Sequence, residues 1–214
     1  INLLMMKKLL SDRNLFNPIS LLILMSIAMP IAFNTWSAML NNFVVEKAAF
    51  TGVEIGILQS LREVPGFLSF TLIFVLLVIK EQTFAVFSLA LLGLGVCLTG
   101  FFPTVYGLYF TTVLMSIGFH YFEAVKQSLS LQWLTKEEAP IILGKLLAVG
   151  SLTSLVVYGC LWTLLEFFQL PYWINFAIAG GICIFLALVM FIFYPAFPSK
   201  VEQNQNLVLR KRYW

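Results

Sequence analysis

The sequence predicts an all-α membrane protein with six transmembrane helices, arranged as two inverted three-helix repeats. The first reason is composition, because 60% of the 214 residues are hydrophobic and only 11% are charged. Soluble domains carry about 25% charged residues, and they need polar groups to cover their outside. The second reason is that long apolar stretches recur, without the short alternating segments of a β-barrel. The third is a pattern of polar side chains that occurs twice.

Six apolar stretches each have the roughly 20 residues with which a helix crosses the hydrocarbon core. Numbered in chain order, spans one to six occupy residues 17–42, 54–79, 82–101, 104–131, 141–166 and 172–195. The breaks between them are short and polar or turn-forming, such as KEQ at 80–82 and TKEEAP at 135–140. Connections this short predict that consecutive helices run antiparallel.

Polar side chains divide the spans into two types. Spans three and six contain no charged residue, whereas spans one, two, four and five each contain several polar groups. In chain order the main ones are Ser26, Asn34 and Ser37, then Gln59, Arg62 and Glu63, then His120, Glu123, Lys126, Gln127 and Ser130, then Lys145, Ser151 and Ser154. The order polar, polar, apolar thus occurs twice. Because each repeat has three spans, the second is inserted in the inverted orientation.

Lysine and arginine positions predict that both chain ends face the cytoplasm. Only Lys47 lies in a loop on the opposite side. The cytoplasmic side is expected to hold Lys7, Lys8, Arg13, Lys80, Lys136, Lys200, Arg210, Lys211 and Arg212. We therefore expect an integral protein of a bacterial cytoplasmic membrane, with a cytoplasmic segment at 1–16, the bundle at 17–195 and a basic cytoplasmic segment at 196–214. The tail RKRYW is interpreted as a topological anchor, so no nucleic-acid partner is expected.

This layout resembles the amino-terminal six-helix half of the major facilitator superfamily. The resemblance covers almost the whole chain, through two inverted trios, cytoplasmic ends and polar first and fourth spans. The stretch LTKEEAPIILGKLLAVGS at 134–151 is similar to that family's loop between spans four and five. Two departures suggest a divergent branch: VIKEQ at 78–82 replaces a Gly-rich, Arg-rich loop, and Gly159 in span five is not followed by proline.

The resemblance implies a secondary active transporter that moves a small solute by alternating access, with spans one and four lining the cavity. It also implies that a complete pathway needs a second half, so we expect a missing carboxy-terminal half as a partner. The other expected partners are the lipid bilayer, a small-molecule solute and protons as a candidate coupling ion. We expect no enzymatic activity, catalytic residue, cofactor or metal.

Polar side chains inside the spans are the candidates for the pathway of the solute or coupling ion. They are Asn34, Arg62, Glu63, His120, Glu123, Lys126 and Gln127. A charge held at the centre of a lipid-facing helix costs about 2.5–3.5 kcal/mol on insertion scales, so these groups should face the bundle interior. Helical spacing places the four candidates of span four on one polar stripe.

Two pairs within this set lead to more specific expectations. Arg62 and Glu63 are adjacent on one helix, where neighbours do not face each other, so both should find partners on other helices. Glu123 lies one turn from both His120 and Lys126, and we expect it to act as a protonation switch. A purely structural charge cluster is the alternative interpretation of the stripe.

Two other classes of membrane protein are alternatives. An intramembrane protease of rhomboid type would use a serine such as Ser151, after Gly150, with a histidine from a later helix. His120 is the only histidine and it comes earlier, so the order is reversed. A structural or channel-like bundle would fit Asn17 and Pro18 as part of a half-helix motif, but this dipeptide occurs alone at a helix start.

Overall fold

The computed structural model describes residues 16–198, and all regular secondary structure in that range is helical. The elements are α1 (Pro18–Ala48), α2 (Gly52–Phe67), a 3₁₀ turn (Leu68–Thr71), α3 (Leu72–Leu76), α4 (Glu81–Thr99), α5 (Val105–Trp133), α6 (Ala139–Glu166) and α7 (Tyr172–Phe193). The predicted all-α class is confirmed for this range. The predicted cytoplasmic segments at 1–16 and 196–214 lie almost entirely outside the described residues.

Local capping chemistry sets where several helices begin. The side chain of Asn17 accepts a hydrogen bond from the Ser20 backbone at 2.8 Å, and Pro18 occupies the first helical position. At the start of α2, the Glu54 carboxylate accepts a hydrogen bond from the Thr51 backbone at 2.8 Å. These capping boxes satisfy backbone N–H groups that have no partner inside the helix, so short polar sequences determine the helix starts.

Four described helices are long and apolar enough to cross a membrane: α1, α4, α6 and α7. They correspond to predicted spans one, three, five and six. Span four is a single helix, α5, but it carries the polar stripe. Span two is broken into α2, the 3₁₀ turn and α3, and at ~1.5 Å per residue α2 covers only about 24 Å of a ~30 Å hydrocarbon core. Membrane crossing by spans two and four therefore stays a prediction.

The helices pack both with a neighbour in sequence and with elements distant in sequence. Helix α4 packs against α5 and α7, α1 packs against α6 and α7, and α2 packs against α5. Contacts at the helix ends show the directions. The Phe16 ring lies 4.9 Å from the Tyr194 ring, and the Tyr172 hydroxyl donates to Glu46 at 3.1 Å. Helices α1 and α7 are therefore antiparallel, and both ends of the described chain lie at the same end of the bundle.

Two other pairs of helices run parallel. Helices α1 and α6 are joined by a hydrogen bond from the Asn34 amide to the Ser154 hydroxyl. Nearer the amino-terminal end of both helices, Gly150 of α6 lies beside the carbonyl oxygen of Ser26 of α1. The two helices therefore run in the same direction. Between α5 and α2, the Tyr109 hydroxyl donates to the Glu54 carbonyl, and later on both helices the Ser116 hydroxyl donates to the Arg62 carbonyl. Residues of α1, α5 and α6 surround a common space.

Small residues permit close helix crossings in the bundle interior. A Cβ atom added to Gly93 of α4 would lie 2.8 Å from the carbonyl oxygen of Gly180 in α7. Glycine at both positions lets the two backbones approach, as is common between helices in lipid. Large apolar side chains such as Phe67 and Val78 cover the outside, with exposed fractions above 80%. An outer surface of this kind suits a hydrocarbon environment.

Candidate functional site

A cavity of about 570 Å³ lies between α1, α5 and α6. Its volume falls within the range of small-molecule sites. Four of the seven predicted site residues line it: Asn34, Glu123, Lys126 and Gln127. The apolar part of its wall is formed by Met29, Pro30, Phe33, Phe119, Leu143 and Leu146. The cavity therefore combines an apolar surface with a few polar groups.

The cavity extends from the midpoints of α1 and α5 toward the amino-terminal end of α1. Phe33 is the central residue of α1 and Phe119 is the central residue of α5. Their rings stack with centroids 4.1 Å apart and an interplanar angle of 12°. Asn34 and Glu123 lie within four residues of these midpoints, or roughly 6 Å along the helix axis. Asn34 and Glu123 are thus close to the centre of the bundle, whereas Lys126 and Gln127 lie nearer the carboxy-terminal end of α5.

One hydrogen bond ties the polar wall of α1 to that of α6. The Asn34 amide donates to the Ser154 hydroxyl at 2.7 Å, and that hydroxyl donates to the Gly150 carbonyl at 2.8 Å. Both side chains line the cavity. Because Ser154 uses its proton on its own helix, its oxygen is oriented to accept from Asn34.

Glu123 and Lys126 form the charged part of the cavity wall. Their closest atoms, Glu123 Oε1 and Lys126 Nζ, are 3.8 Å apart, which is an ion pair but too long for a hydrogen bond. The Lys126 side chain is only 17% exposed, and its ammonium lies 5.9 Å from the centroid of the Phe122 ring. Glu123 Oε1 is buried without a hydrogen-bond partner among the described residues. Both groups keep unused hydrogen-bonding capacity.

Ser26 is a part of the wall that the sequence prediction did not include among the site residues. Its hydroxyl oxygen is buried and has no hydrogen-bond partner within residues 16–198. Pro30, four residues later, has no N–H to donate to the Ser26 carbonyl. A serine four residues before an intrahelical proline is a signal that sequence reasoning could have used.

His120 does not line the cavity with the rest of the predicted stripe. Its ring packs against α2, where a Cβ atom added to Gly66 would lie 2.8 Å from His120 Cε1. Its Nε2 atom is 3.9 Å from Glu63 Oε2. His120 therefore faces α2, whereas Glu123 and Lys126 line the cavity. His120 lies at the edge of the stripe, and the absence of a side chain at Gly66 makes room for the ring.

Arg62 and Glu63 pair with each other, and Glu63 also has a partner on another helix, His120 of α5. Arg62 Nη2 and Nε lie 2.6 Å and 2.9 Å from Glu63 Oε1. The long arginine side chain can fold back along the helix, so adjacency did not prevent contact. Glu63 also faces His120, and the Arg62 carbonyl accepts a hydrogen bond from the Ser116 hydroxyl. These groups belong to the α2–α5 interface and lie outside the cavity wall.

Comparison with known proteins gives no further assignment, because no protein-family model, curated protein or solved structure matches this chain. Ser151 lines the cavity while His120 packs on α2, so the two residues of the protease alternative lie in different surroundings. The resemblance to the major facilitator superfamily therefore rests on the residues and layout described above.

Proposed function

We propose that the chain is a six-helix half of a secondary transporter of the major facilitator type, moving a small solute by alternating access. The observation that carries this proposal is the cavity between α1, α5 and α6, which begins at mid-height and has Glu123 and Lys126 on its wall. Charges inside a membrane bundle are costly and mark solute or ion pathways. We propose that the protein lies in a bacterial cytoplasmic membrane with both ends facing the cytoplasm. A second six-helix half would complete the pathway, and protons are a candidate coupling ion.

The packing of the helices supports the inverted repeat that this proposal requires. An inverted repeat exchanges each span with the span three places later. The α1–α6 pair, spans one and five, then becomes the α5–α2 pair, spans four and two. The α1–α7 pair becomes the α5–α4 pair, and the α4–α7 pair maps onto itself. Together these are the five main helix pairs of the described bundle.

Residue spacing supports the same repeat independently. The starts of α1 and α5 are 87 positions apart, at Pro18 and Val105, and those of α2 and α6 are also 87 apart. Two contacts join residues separated by nearly the same interval. Phe33 stacks on Phe119, 86 positions later, and Gly93 approaches Gly180, 87 positions later. Residues that touch their own repeat equivalents lie near a pseudo-two-fold axis, so the cavity sits beside that axis.

The Glu123–Lys126 pair gives the cavity a means of responding to solute. A charged pair that is not hydrogen-bonded internally can exchange its weak mutual contact for contacts to a bound molecule. Binding that favours one arrangement of the bundle over another shifts the balance between inward-open and outward-open states. We propose that this differential binding, with the second half as the opposing wall, drives the alternation.

Alternating access is tested by asking from which side of the membrane the cavity can be reached. The exposed Cys160 is first replaced by alanine in the full-length protein. The test variant is then Ser151→Cys on the cavity wall, and the control variant is Leu152→Cys. Leu152 is the next residue, is 63% exposed and lies outside the wall, so it should face lipid. A membrane-impermeant thiol reagent is applied to right-side-out and inside-out vesicles.

We expect Ser151→Cys to be modified from both sides and Leu152→Cys from neither, because only the cavity position meets water in two states. Modification of Ser151→Cys from one side only would refute alternating access. Failure to modify it from either side would show that the cavity is closed to solutes. The two positions differ by one residue, so expression and helix insertion are matched.

A further inference from the structure

We propose that the cavity binds a zwitterion with an apolar body, the class that includes amino acids and short peptides. This inference rests on the proposed function, because it takes the cavity as the solute site. It assigns the ligand's anionic group to Lys126 and its cationic group to Glu123. The apolar body is assigned to the wall around Phe33 and Phe119.

The two charged residues of the wall indicate a ligand with two charges. Glu123 and Lys126 lie one helical turn apart on α5, and both line the cavity. Their 3.8 Å separation leaves each without a hydrogen bond to the other. A carboxylate placed on the ammonium and an ammonium placed on the carboxylate would each form a charge-assisted hydrogen bond of about 2.7–2.9 Å. A zwitterion supplies both groups in one molecule.

The charges of the wall favour a ligand with both signs of charge. Glu123 and Lys126 are the two charged residues that line the cavity. Arg62, Glu63 and His120 contact one another at the α2 interface, and Glu81 of α4 accepts hydrogen bonds from Ser128 and Gln132 of α5. A ligand with a single charge would therefore match only one of the two charged groups of the wall.

Polar atoms of the wall that lack a hydrogen-bond partner indicate where the ligand's ammonium group binds. Five buried side-chain polar atoms lack a hydrogen-bond partner among the described residues, and two of them, Ser26 Oγ and Glu123 Oε1, belong to cavity-lining residues. Buried polar atoms in native proteins usually have a partner, so unpaired atoms at a cavity indicate where a ligand or water binds. An ammonium group can donate up to three hydrogen bonds and so suits a wall that offers oxygen acceptors.

The apolar part of the wall indicates that the ligand also has an apolar body. Phe33 and Phe119 form a stacked pair at mid-height, with Met29 and Leu146 beside them. A purely polar zwitterion would leave this surface in contact with water, whereas an apolar side chain would cover it. Burial of apolar surface contributes about 25 cal/mol per Å². The cavity volume of about 570 Å³ accommodates an aromatic amino acid or a dipeptide.

The test uses four probes that share an apolar body and differ in charge. They are L-phenylalanine, L-leucyl-L-phenylalanine, 3-phenylpropionate, which lacks the ammonium, and 2-phenylethylamine, which lacks the carboxylate. Binding to the purified full-length protein in lipid nanodiscs is measured by titration calorimetry. We expect at least one zwitterion to bind, and removal of either charge to weaken binding about tenfold or more, as for a lost hydrogen bond to a charged group.

Substitutions then assign each ligand charge to one residue. In Lys126→Gln, L-phenylalanine should lose its advantage over 2-phenylethylamine but keep its advantage over 3-phenylpropionate. In Glu123→Gln the reverse should hold. Lys145→Gln and Glu166→Gln are matched controls, because both residues are exposed on α6 and outside the cavity wall, and they should keep both preferences. Comparing ligands within one variant cancels any change in folded fraction.

Two results would overturn the inference: a singly charged probe that binds as well as both zwitterions, or variants at Lys126 and Glu123 that keep both preferences. The outcome is separable from that of the proposed function. If no zwitterion binds but the Ser151 position is reached from both sides, the ligand class is wrong and the transporter proposal stands. If the charge preferences hold but access is one-sided, the ligand class stands and the transporter proposal fails.

Discussion

Replacing Gly180 by alanine tests the helix crossing that holds the bundle together. Gly180 lies on the buried face of α7, against α4. An added Cβ would lie 2.6 Å from the Cys97 backbone nitrogen, 2.8 Å from the Cys97 Cβ, and in contact with the Gly93 carbonyl oxygen. Ordinary contacts of a Cβ atom begin at about 3.4 Å. Because the obstructing atoms include backbone, the two helices must move apart.

The expected loss of stability combines two opposing effects. Overpacking a tight interior costs about 1–3 kcal/mol, while changing glycine to alanine within a helix favours folding by about 0.8–1.0 kcal/mol. Gly181 provides the matched control, because it is the next residue of α7 and has nothing within 4 Å of its added Cβ. Both variants gain the same helix propensity. The difference between them is the packing cost alone, about 1–3 kcal/mol.

Thermal unfolding of the purified protein measures this difference. The chain has five tryptophans, so intrinsic fluorescence follows the transition without a label. At about 2–4 °C per kcal/mol for a chain of this size, Gly180→Ala should unfold roughly 2–12 °C below Gly181→Ala. Equal transition temperatures, or a higher one for Gly180→Ala, would show that α4 and α7 do not cross at this point.

Two further predictions concern polar contacts of the site. Replacing Asn34 and Ser154 by alanine, singly and together, should give a coupling energy of about 0.6 kcal/mol and at most about 1.7 kcal/mol, as for hydrogen bonds between membrane helices. This double-mutant cycle is measured from unfolding free energies in one detergent. Strictly additive effects of the two substitutions would rule out the hydrogen bond. Gly66→Ala should displace the ring of His120, the only histidine, and so shift its imidazole proton resonance, whereas Gly56→Ala, with open space around its Cβ, should leave that resonance in place. An unchanged signal in Gly66→Ala would contradict the packing of the ring on α2.

Within the described residues, the sequence by itself determined which segments are helical. Apolar length and capping residues act over a few neighbouring positions, so they can be read along the chain. Asn17 and Pro18 begin α1 as their types predict, and the predicted spans one, three, five and six coincide closely with α1, α4, α6 and α7. The break in span two was not predicted, because its apolar run continues through Leu68 while the backbone tightens into a 3₁₀ turn.

Sequence also identified part of the candidate site. A charge inside an apolar span is costly wherever the helix packs, so Glu123 and Lys126 stood out before any fold was known. Their position on one stripe of α5 followed from one-turn spacing, which is again a local property. Asn34 was found in the same way, although its partner Ser154 is 120 positions away and could not be inferred from the span alone.

Only the tertiary structure decided which helix each polar group faces. In lipid, helices gain little from burying apolar surface against each other, so small residues and polar contacts choose the partners. That choice depends on side chains far apart in sequence: the missing side chain of Gly66 admits His120 and removes it from the stripe, and Gly93 meets Gly180 across the bundle. Such pairings form in three dimensions, after the helices exist, which is why the cavity between α1, α5 and α6 could not be seen in the sequence.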